Sequence, residues 1–135
     1  MFKHMLIPTD GSTVSQKAAT QGVALAKSVG AKITAFYAAP PATPIIYRNS
    51  LPVGYATPTE HEEMIEKTAA RYLEFVERAA RKAGVKCEAV HVVTDYPEEG
   101  ILNIAKKKKC DLMVMSTRGQ ERLKRDFIGS VTQKV

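Results

Sequence analysis

The sequence predicts an α/β fold in which an open parallel sheet lies between two layers of helices, forming a three-layer sandwich. Strand-like and helix-like segments alternate along the chain, which favours parallel strands joined by helical crossovers. The last predicted strand, residues 110–116, is an almost continuous apolar run, as expected for a strand buried on both faces. A chain of 135 residues with 44% hydrophobic and 25% charged residues fits one domain over residues 1–135.

The first predicted elements are a strand, a helix and a second strand. Residues 2–9 form the apolar first strand, which ends near a proline. Asp10 and Ser12 are typical N-cap residues, and apolar residues then recur at helical spacing as far as Gly30, a typical C-cap. Residues 31–38 are rich in β-branched and aromatic types and predict the second strand.

The segment from residue 39 to residue 58 interrupts this alternation. It contains Pro40, Pro41, Pro44, Pro52 and Pro58 and has no clear periodicity. Long irregular segments inside compact domains are uncommon unless they are functional or mobile. Because the segment also carries apolar side chains, we interpret it as a flap over a site or as a partner surface.

The second half of the chain repeats the strand and helix pattern. Residues 59–84 show one apolar stripe with charged pairs on the opposite side and predict a long helix. A third strand follows at residues 85–93, and a second long amphipathic stretch at 96–109 begins with Pro97 in its first turn. The fourth strand, 110–116, completes the sheet.

Composition narrows the range of functions. The net charge of +6, from 20 basic and 14 acidic residues, favours anionic ligands without choosing among nucleotides, nucleic acids and acidic membrane surfaces. We expect a cytoplasmic protein, because no apolar run suits a membrane helix or a signal peptide. Cys87 and Cys110 predict buried free thiols, and we expect no metal site, since a zinc-protease pattern fails at Ile65.

A ligand site is predicted where two polar loops follow strands. In open α/β sheets, ligands bind outside the carboxyl ends of the strands, at the point where the strand order reverses. Residues 8–12 follow the first strand and residues 116–120 follow the fourth. These loops face each other if the first and fourth strands are neighbours, an order that periodicity alone permits without proving.

The loop after the fourth strand carries chemistry suited to an anion. Gly119 allows close approach of backbone amides, and Gly129 and Ser130 precede a predicted helix start. Taken singly, each glycine fits a turn or a cap and Ser130 fits an N-cap. Together, opposite an acceptor such as Asp10, they indicate a phosphate and ribose site. Other known phosphate-loop patterns and the nucleophile elbow of hydrolases are absent from the sequence.

Three stretches carry a resemblance to a known family. Residues 6–12, 97–119 and 128–135 resemble the universal stress protein family, and the likeness extends over essentially the whole chain. ATP-binding members carry the pattern G-x2-G-x9-G-[ST]. Here it reads S-x2-G-x9-G-S, with Ser116 in place of the first glycine and a match at Gly119.

The resemblance implies a Rossmann-like fold of the adenine nucleotide α-hydrolase type, with strand order 3-2-1-4(-5). It implies ATP as ligand, together with Mg²⁺, with no catalytic residue and no metal held by protein side chains. By this resemblance, Pro8, Thr9 and Asp10 would border the adenine and the ribose, and Ala38 would line the adenine pocket. Met115 would lie beside the base or the ribose, and the other positions would surround the phosphates. The implied ATP-binding positions are Pro8, Thr9, Asp10, Ala38, Met115, Ser116, Arg118, Gly119, Gly129, Ser130, Val131 and Thr132.

Family members usually continue into a short helix and a last apolar strand that commonly pairs across a homodimer. The sequence given stops at Val135, so we expect either that it is shortened or that this strand is missing. The dimer that the resemblance implies would then lack its usual interface.

Three functions remain open from the sequence. The leading one is an ATP-binding, nucleotide-responsive stress or regulatory protein, in which any ATPase activity is slow because no general base is placed for hydrolysis. The second is a protein–protein interaction module that keeps the fold without the nucleotide, which the serine at position 116 would allow. The third, binding of nucleic acid through residues 106–109 and 118–125, has basic charge but no recognised binding module.

Overall fold

The computed structural model describes residues 2–41, 45–48, 51–55, 58–116 and 126–129, with side chains placed in 2–41 and 59–116. The elements in chain order are β1 (His4–Pro8), α1 (Thr13–Val29), β2 (Lys32–Ala39), β3 (Ile45–Arg48), β4 (Leu51–Tyr55), α2 (Pro58–Ala83), β5 (Cys87–Val93), α3 (Pro97–Lys107), β6 (Leu112–Ser116) and β7 (Asp126–Gly129).

The main sheet has the strand order β5-β2-β1-β6-β7. The first four strands are mutually parallel, and β7 runs antiparallel to β6. The four strands predicted from the sequence correspond to β1, β2, β5 and β6, so the predicted order 3-2-1-4 is confirmed. The strand order reverses at β1, which lies between β2 and β6, and this places the loops after β1 and β6 side by side.

Helices cover both faces of the sheet and enclose two apolar clusters. One face packs against α1 and α2 through residues such as Met5 and Ile7, and the other packs against α3 through residues such as Leu6 and Phe36. All four of these side chains are fully buried. Alternate residues of one strand therefore serve opposite layers, as the pleat of a buried parallel strand requires.

The helix ends follow the predicted cap residues. Ser12 caps α1 by accepting a hydrogen bond from the Ser15 amide at 3.1 Å, and Gly30 ends the helix in the left-handed region at φ 74°. Gly84, with φ 74°, follows α2, and Pro97 occupies the first turn of α3. Sequence-local chemistry thus sets where these helices begin and end.

Two short strand pairs differ from the prediction. Part of the segment treated as an irregular flap forms an antiparallel hairpin of β3 and β4, with Ile45 opposite Tyr55. The fifth place in the main sheet, predicted to be empty, is occupied by β7, which lies inside the segment treated as a glycine-bounded loop. Pairing with β7 satisfies the outer backbone groups of β6, which would otherwise form an open edge.

Three predictions from the sequence concern the thiols, metal sites and membrane helices, and the described residues bear on each of them. Cys110 is buried and Cys87 is half-buried, both are free thiols, and burial raises the pKa of each to about 11. The described part of the chain has no cluster of three or more metal-binding side chains. It also has no helix both long and apolar enough to cross a membrane.

Candidate functional site

The turn between β1 and α1 has a fixed backbone geometry. The amide of Thr9 donates to the carbonyl of Phe36 at 2.8 Å, which ties the end of β1 to β2. The carboxylate of Asp10 accepts from the amide of Ser12 at 2.9 Å, a local turn typical of aspartate. The start of α1 is therefore fixed relative to two strand ends.

A chain of hydroxyl hydrogen bonds lies inside this turn. The Gly11 amide donates to Thr9 Oγ1 at 3.1 Å, and Ser15 Oγ donates to the Ser12 carbonyl at 3.0 Å. Thr9 Oγ1 and Ser15 Oγ lie 3.1 Å apart. Because the Ser15 hydroxyl already donates its proton to the Ser12 carbonyl, the Thr9 hydroxyl is the donor in the hydrogen bond between Thr9 and Ser15. Both buried hydroxyls are thus satisfied.

Two tyrosines pack close to the same turn. The rings of Tyr37 and Tyr72 meet edge to face, with centroids 5.2 Å apart and planes at 86°. Burial raises the pKa of Tyr37, with smaller contributions from Tyr72 and from the carboxylate of Asp10. The tyrosine pair connects β2 and α2 near the entrance of α1.

A cavity of about 480 Å³ opens at the carboxyl ends of β1, β2 and β6. This size lies within the range typical of small-molecule sites. The lining is mainly apolar, with a few hydroxyl and carboxylate groups. Its members are Pro8, Thr9, Asp10, Ser15, Phe36, Ala38, Pro97, Glu98, Ile101, Met115 and Ser116.

The first turn of α3 forms the wall of the cavity beside β2. A β-carbon added to Gly100 would lie 3.5 Å from the ring of Phe36 and 3.7 Å from Val92, so this turn packs directly on β2 and β5. The preceding connection is held by a hydrogen bond from the Thr94 amide to the Ala39 carbonyl at 2.9 Å. This packing brings the residues around position 98 to the cavity.

The charge on the described lining is acidic. Asp10 and Glu98 are carboxylates, and no lysine or arginine is among the described residues that line the cavity. Neutral hydroxyls of Thr9, Ser15 and Ser116 supply the other polar groups, and all three side chains are buried. This wall suits a ligand with hydrogen-bond donors more than a bare anion.

The structure brings one group of the predicted site residues together. Pro8, Thr9, Asp10, Ala38, Met115 and Ser116 all line the cavity. Gly129 is the last residue of β7 and is paired with Met113, three residues along β6 from Ser116. Arg118, Gly119, Ser130, Val131 and Thr132 lie outside the described residues.

Five further lining residues were not predicted from the sequence, namely Ser15, Phe36, Pro97, Glu98 and Ile101. The sequence contained a signal for three of them, Pro97, Glu98 and Ile101, which belong to α3. Residues 94–98 follow the carboxyl end of a strand, the same position that identified the other two loops. The prediction assigned these residues only to the start of a helix.

The fold and the cavity define an α/β protein of the class that binds small molecules at the carboxyl edge of a parallel sheet, where the strand order reverses. The model of the Universal stress protein family matches residues 1–135, and the chain belongs to this family.

Similar proteins are consistent with this assignment. A universal stress protein of Methanocaldococcus jannaschii is 33% identical over 138 residues, covering 100% of this chain and 76% of that protein. A universal stress protein crystallised in complex with cAMP is 23% identical, with a TM-score of 0.61, covering 87% of this chain and 74% of the other. A family protein of Arabidopsis thaliana crystallised with AMP bound is 20% identical, with a TM-score of 0.61, covering 90% and 80%. The two structures establish the fold.

Proposed function

We propose that this protein binds ATP, together with Mg²⁺, in the cavity and acts as a nucleotide-responsive stress or regulatory protein of the cytoplasm. One observation carries the proposal. Positions that the family resemblance assigns to the nucleotide lie at the carboxyl ends of three separate strands and line one cavity. They are represented by Asp10, Ala38 and Ser116. Residues so distant in sequence share a cavity only because the strand order reverses at β1.

The lining residues fit a nucleoside. Phe36 and Ile101 provide apolar surface suited to a base, and Met115 adds apolar surface beside the base or the ribose. Asp10 is an acceptor suited to ribose hydroxyls. Neighbouring strands are about 4.8 Å apart, so the cavity extends roughly 10 Å from β2 across β1 to β6. This extent allows the base and the ribose to lie over different strands.

The charge distribution supports one orientation of the nucleotide. A triphosphate is repelled by Asp10 and Glu98, whereas Arg118 follows the cavity residue Ser116 by two positions in the sequence. The phosphates therefore belong at the β6 end and the base at the β2 end. Mg²⁺ bound to the phosphates would reduce the remaining repulsion.

Two similar structures support an adenine nucleotide as the ligand. Two proteins with this fold were crystallised with cAMP and with AMP, both of which contain adenosine. Their sequence identity to this chain is 23% and 20%. We propose that this chain binds the same class of ligand, an adenine nucleotide. The nucleotide is proposed to set conformation or homodimer assembly.

Isothermal titration calorimetry tests the proposal directly. ATP should bind with a micromolar dissociation constant, more tightly with Mg²⁺, and Ala38→Leu should weaken binding at least tenfold by filling the base end of the cavity. Ala70→Leu is the matched control, since it makes the same change on the exposed side of α2. An absence of heat and of thermal shift at millimolar ATP would contradict the proposal and favour a protein–protein interaction module.

A further inference from the structure

We propose that Glu98 selects the base, by accepting a hydrogen bond from the 6-amino group of adenine and repelling the 6-oxo group of hypoxanthine. The inference rests on the proposed function, because it names which base the same cavity prefers. It concerns a residue that the family motif does not assign.

Glu98 lies at the end of the cavity where the base is placed. It lines the cavity from the first turn of α3, and this turn packs on β2 and β5 through the close approach of Gly100 to Phe36. Ser116, the residue nearest to the predicted phosphate loop, lies on β6, on the other side of β1. The turn that carries Glu98 therefore packs on β2, which is two places from β6 in the sheet order.

The Glu98 carboxylate is available to a ligand. It makes no hydrogen bond or ion pair within the part of the chain for which side chains are placed. By contrast, Asp10 already accepts a hydrogen bond from the Ser12 amide.

The chemistry of an ionised carboxylate determines which base it favours. A carboxylate is an acceptor only, so it forms a charge-assisted hydrogen bond with an amino group and repels a carbonyl oxygen. Adenine carries an amino group at carbon 6, and hypoxanthine carries an oxygen there. A binding site that hydrogen-bonds one group discriminates against an analogue that lacks it. Because Glu98 is exposed, we expect a smaller discrimination than a buried site would give.

The test compares ATP with ITP, which differ in the group at carbon 6 and in the proton that hypoxanthine carries on the adjacent nitrogen 1. Calorimetry at one salt and Mg²⁺ concentration gives both dissociation constants for the wild-type protein and for Glu98→Gln. The glutamine amide can donate as well as accept, so it loses the repulsion of the oxo group. We expect the wild type to prefer ATP by about tenfold, the scale of one charge-assisted hydrogen bond, and Glu98→Gln to bring the ratio close to one.

Glu99→Gln is the matched control. It removes the same charge from the same helical turn. Glu98 and Glu99 are both exposed, but only Glu98 lines the cavity. Its ATP to ITP ratio should equal that of the wild type, and melting temperatures should show that both variants remain folded. A preference for ATP that persists in Glu98→Gln, or that falls equally in Glu99→Gln, would overturn the role of Glu98 while leaving the proposed function intact. Failure of the wild type to bind ATP would instead overturn the proposed function itself.

Discussion

The ring edge of Tyr72 occupies the space that a β-carbon on residue 11 would require. Gly11 also has φ 81°, a backbone conformation that side-chain-bearing residues rarely adopt. Two separate constraints therefore require glycine at this position. Through this contact α2 is packed against the turn that holds Asp10 at the cavity.

Gly11→Ala should destabilise the fold by about 2–4 kcal/mol. Roughly 1 kcal/mol comes from the positive φ and the rest from displacing the Tyr72 ring, which also packs on Tyr37. Urea denaturation of Gly11→Ala, Tyr72→Ala and the double variant separates the two terms. The alanine at position 11 should cost less when Tyr72 is absent, and equal costs in both backgrounds would show that the ring contact is unimportant.

His4 should make stability depend on pH. Its side chain is only 8% exposed, and its Nε2 lies 2.6 Å from Thr34 Oγ1. Burial, with a smaller contribution from the charge of Lys32, lowers the pKa of His4 below its ordinary value of 6.5. A hydrogen bond to the backbone of Lys108 and the charges of Asp111 and Glu88 only partly oppose this shift. As the pH is lowered below 6.5, the unfolded chain therefore binds a proton before the folded chain does. The free energy of unfolding consequently decreases as the pH decreases.

Denaturation at pH 7.5, 6.5 and 5.5 checks this dependence. One proton accounts for at most about 1.4 kcal/mol per pH unit, and His4→Gln should remove that part of the slope. His91→Gln, at an exposed position of β5, is the control and should keep the wild-type slope. Identical slopes for the wild type and His4→Gln would contradict the role assigned to His4.

Arg118→Ala should weaken ATP binding by about tenfold, the scale of one charge-assisted hydrogen bond to phosphate. The arginine adjoins Gly119 in the predicted phosphate loop. Replacing Lys106, Lys107 and Lys109 by glutamine should leave ATP affinity nearly unchanged, since these lysines are exposed at the end of α3 away from the cavity. Calorimetry on both variants gives the comparison.

The same lysine variant also tests the nucleic-acid alternative. Fluorescence anisotropy with labelled DNA and RNA should show weak binding by the wild type that is lost at physiological salt, as net charge alone predicts. Tight binding that survives this salt concentration and disappears in the lysine variant would make nucleic-acid binding the better interpretation.

Gly129→Val should weaken ATP binding far more than it weakens the fold. A β-branched residue is compatible with the strand conformation of β7, but it would obstruct close approach of a phosphate to the backbone. Thermal melting and calorimetry on the same preparation separate the two effects. If the affinity for ATP is unchanged, Gly129 is not a phosphate-binding residue. Its role is then structural, as part of the β7 strand that pairs with β6 at Met113.

The sequence predicts the main elements well because their signals are local and long. The helices carry cap residues and many turns of periodicity, and the parallel strands are strongly apolar. β3, β4 and β7 are no shorter than β1 or β6 by more than one residue, but proline, glycine and charged residues in and around them hide the strand pattern. Their existence depends on backbone partners rather than on composition. Even in α2, where the apolar period is strong, Leu73 and Ala80 are buried, whereas their neighbours Tyr72 and Ala79 are only half-buried.

The candidate site shows a similar limit. Asp10 and Ser116 are found from the sequence because each lies in a polar loop after an apolar strand. Glu98 and Glu99 are identical in type and adjacent, so composition cannot tell which one reaches the cavity. The answer depends on how Gly100 packs on Phe36, a contact between elements distant in sequence.

Backbone NMR during titration with ATP and Mg²⁺ tests the central claim most directly, because it reports which amides sense the ligand. If ATP binds in the cavity, saturable shifts should cluster at the segments around it, residues 9–15, 36–38, 98–101 and 115–116. The exposed end of α3 at Lys106 and Lys107 should remain unaffected. Shifts concentrated away from these segments, or no shifts at millimolar ATP, would contradict a nucleotide site at the carboxyl edge of the sheet.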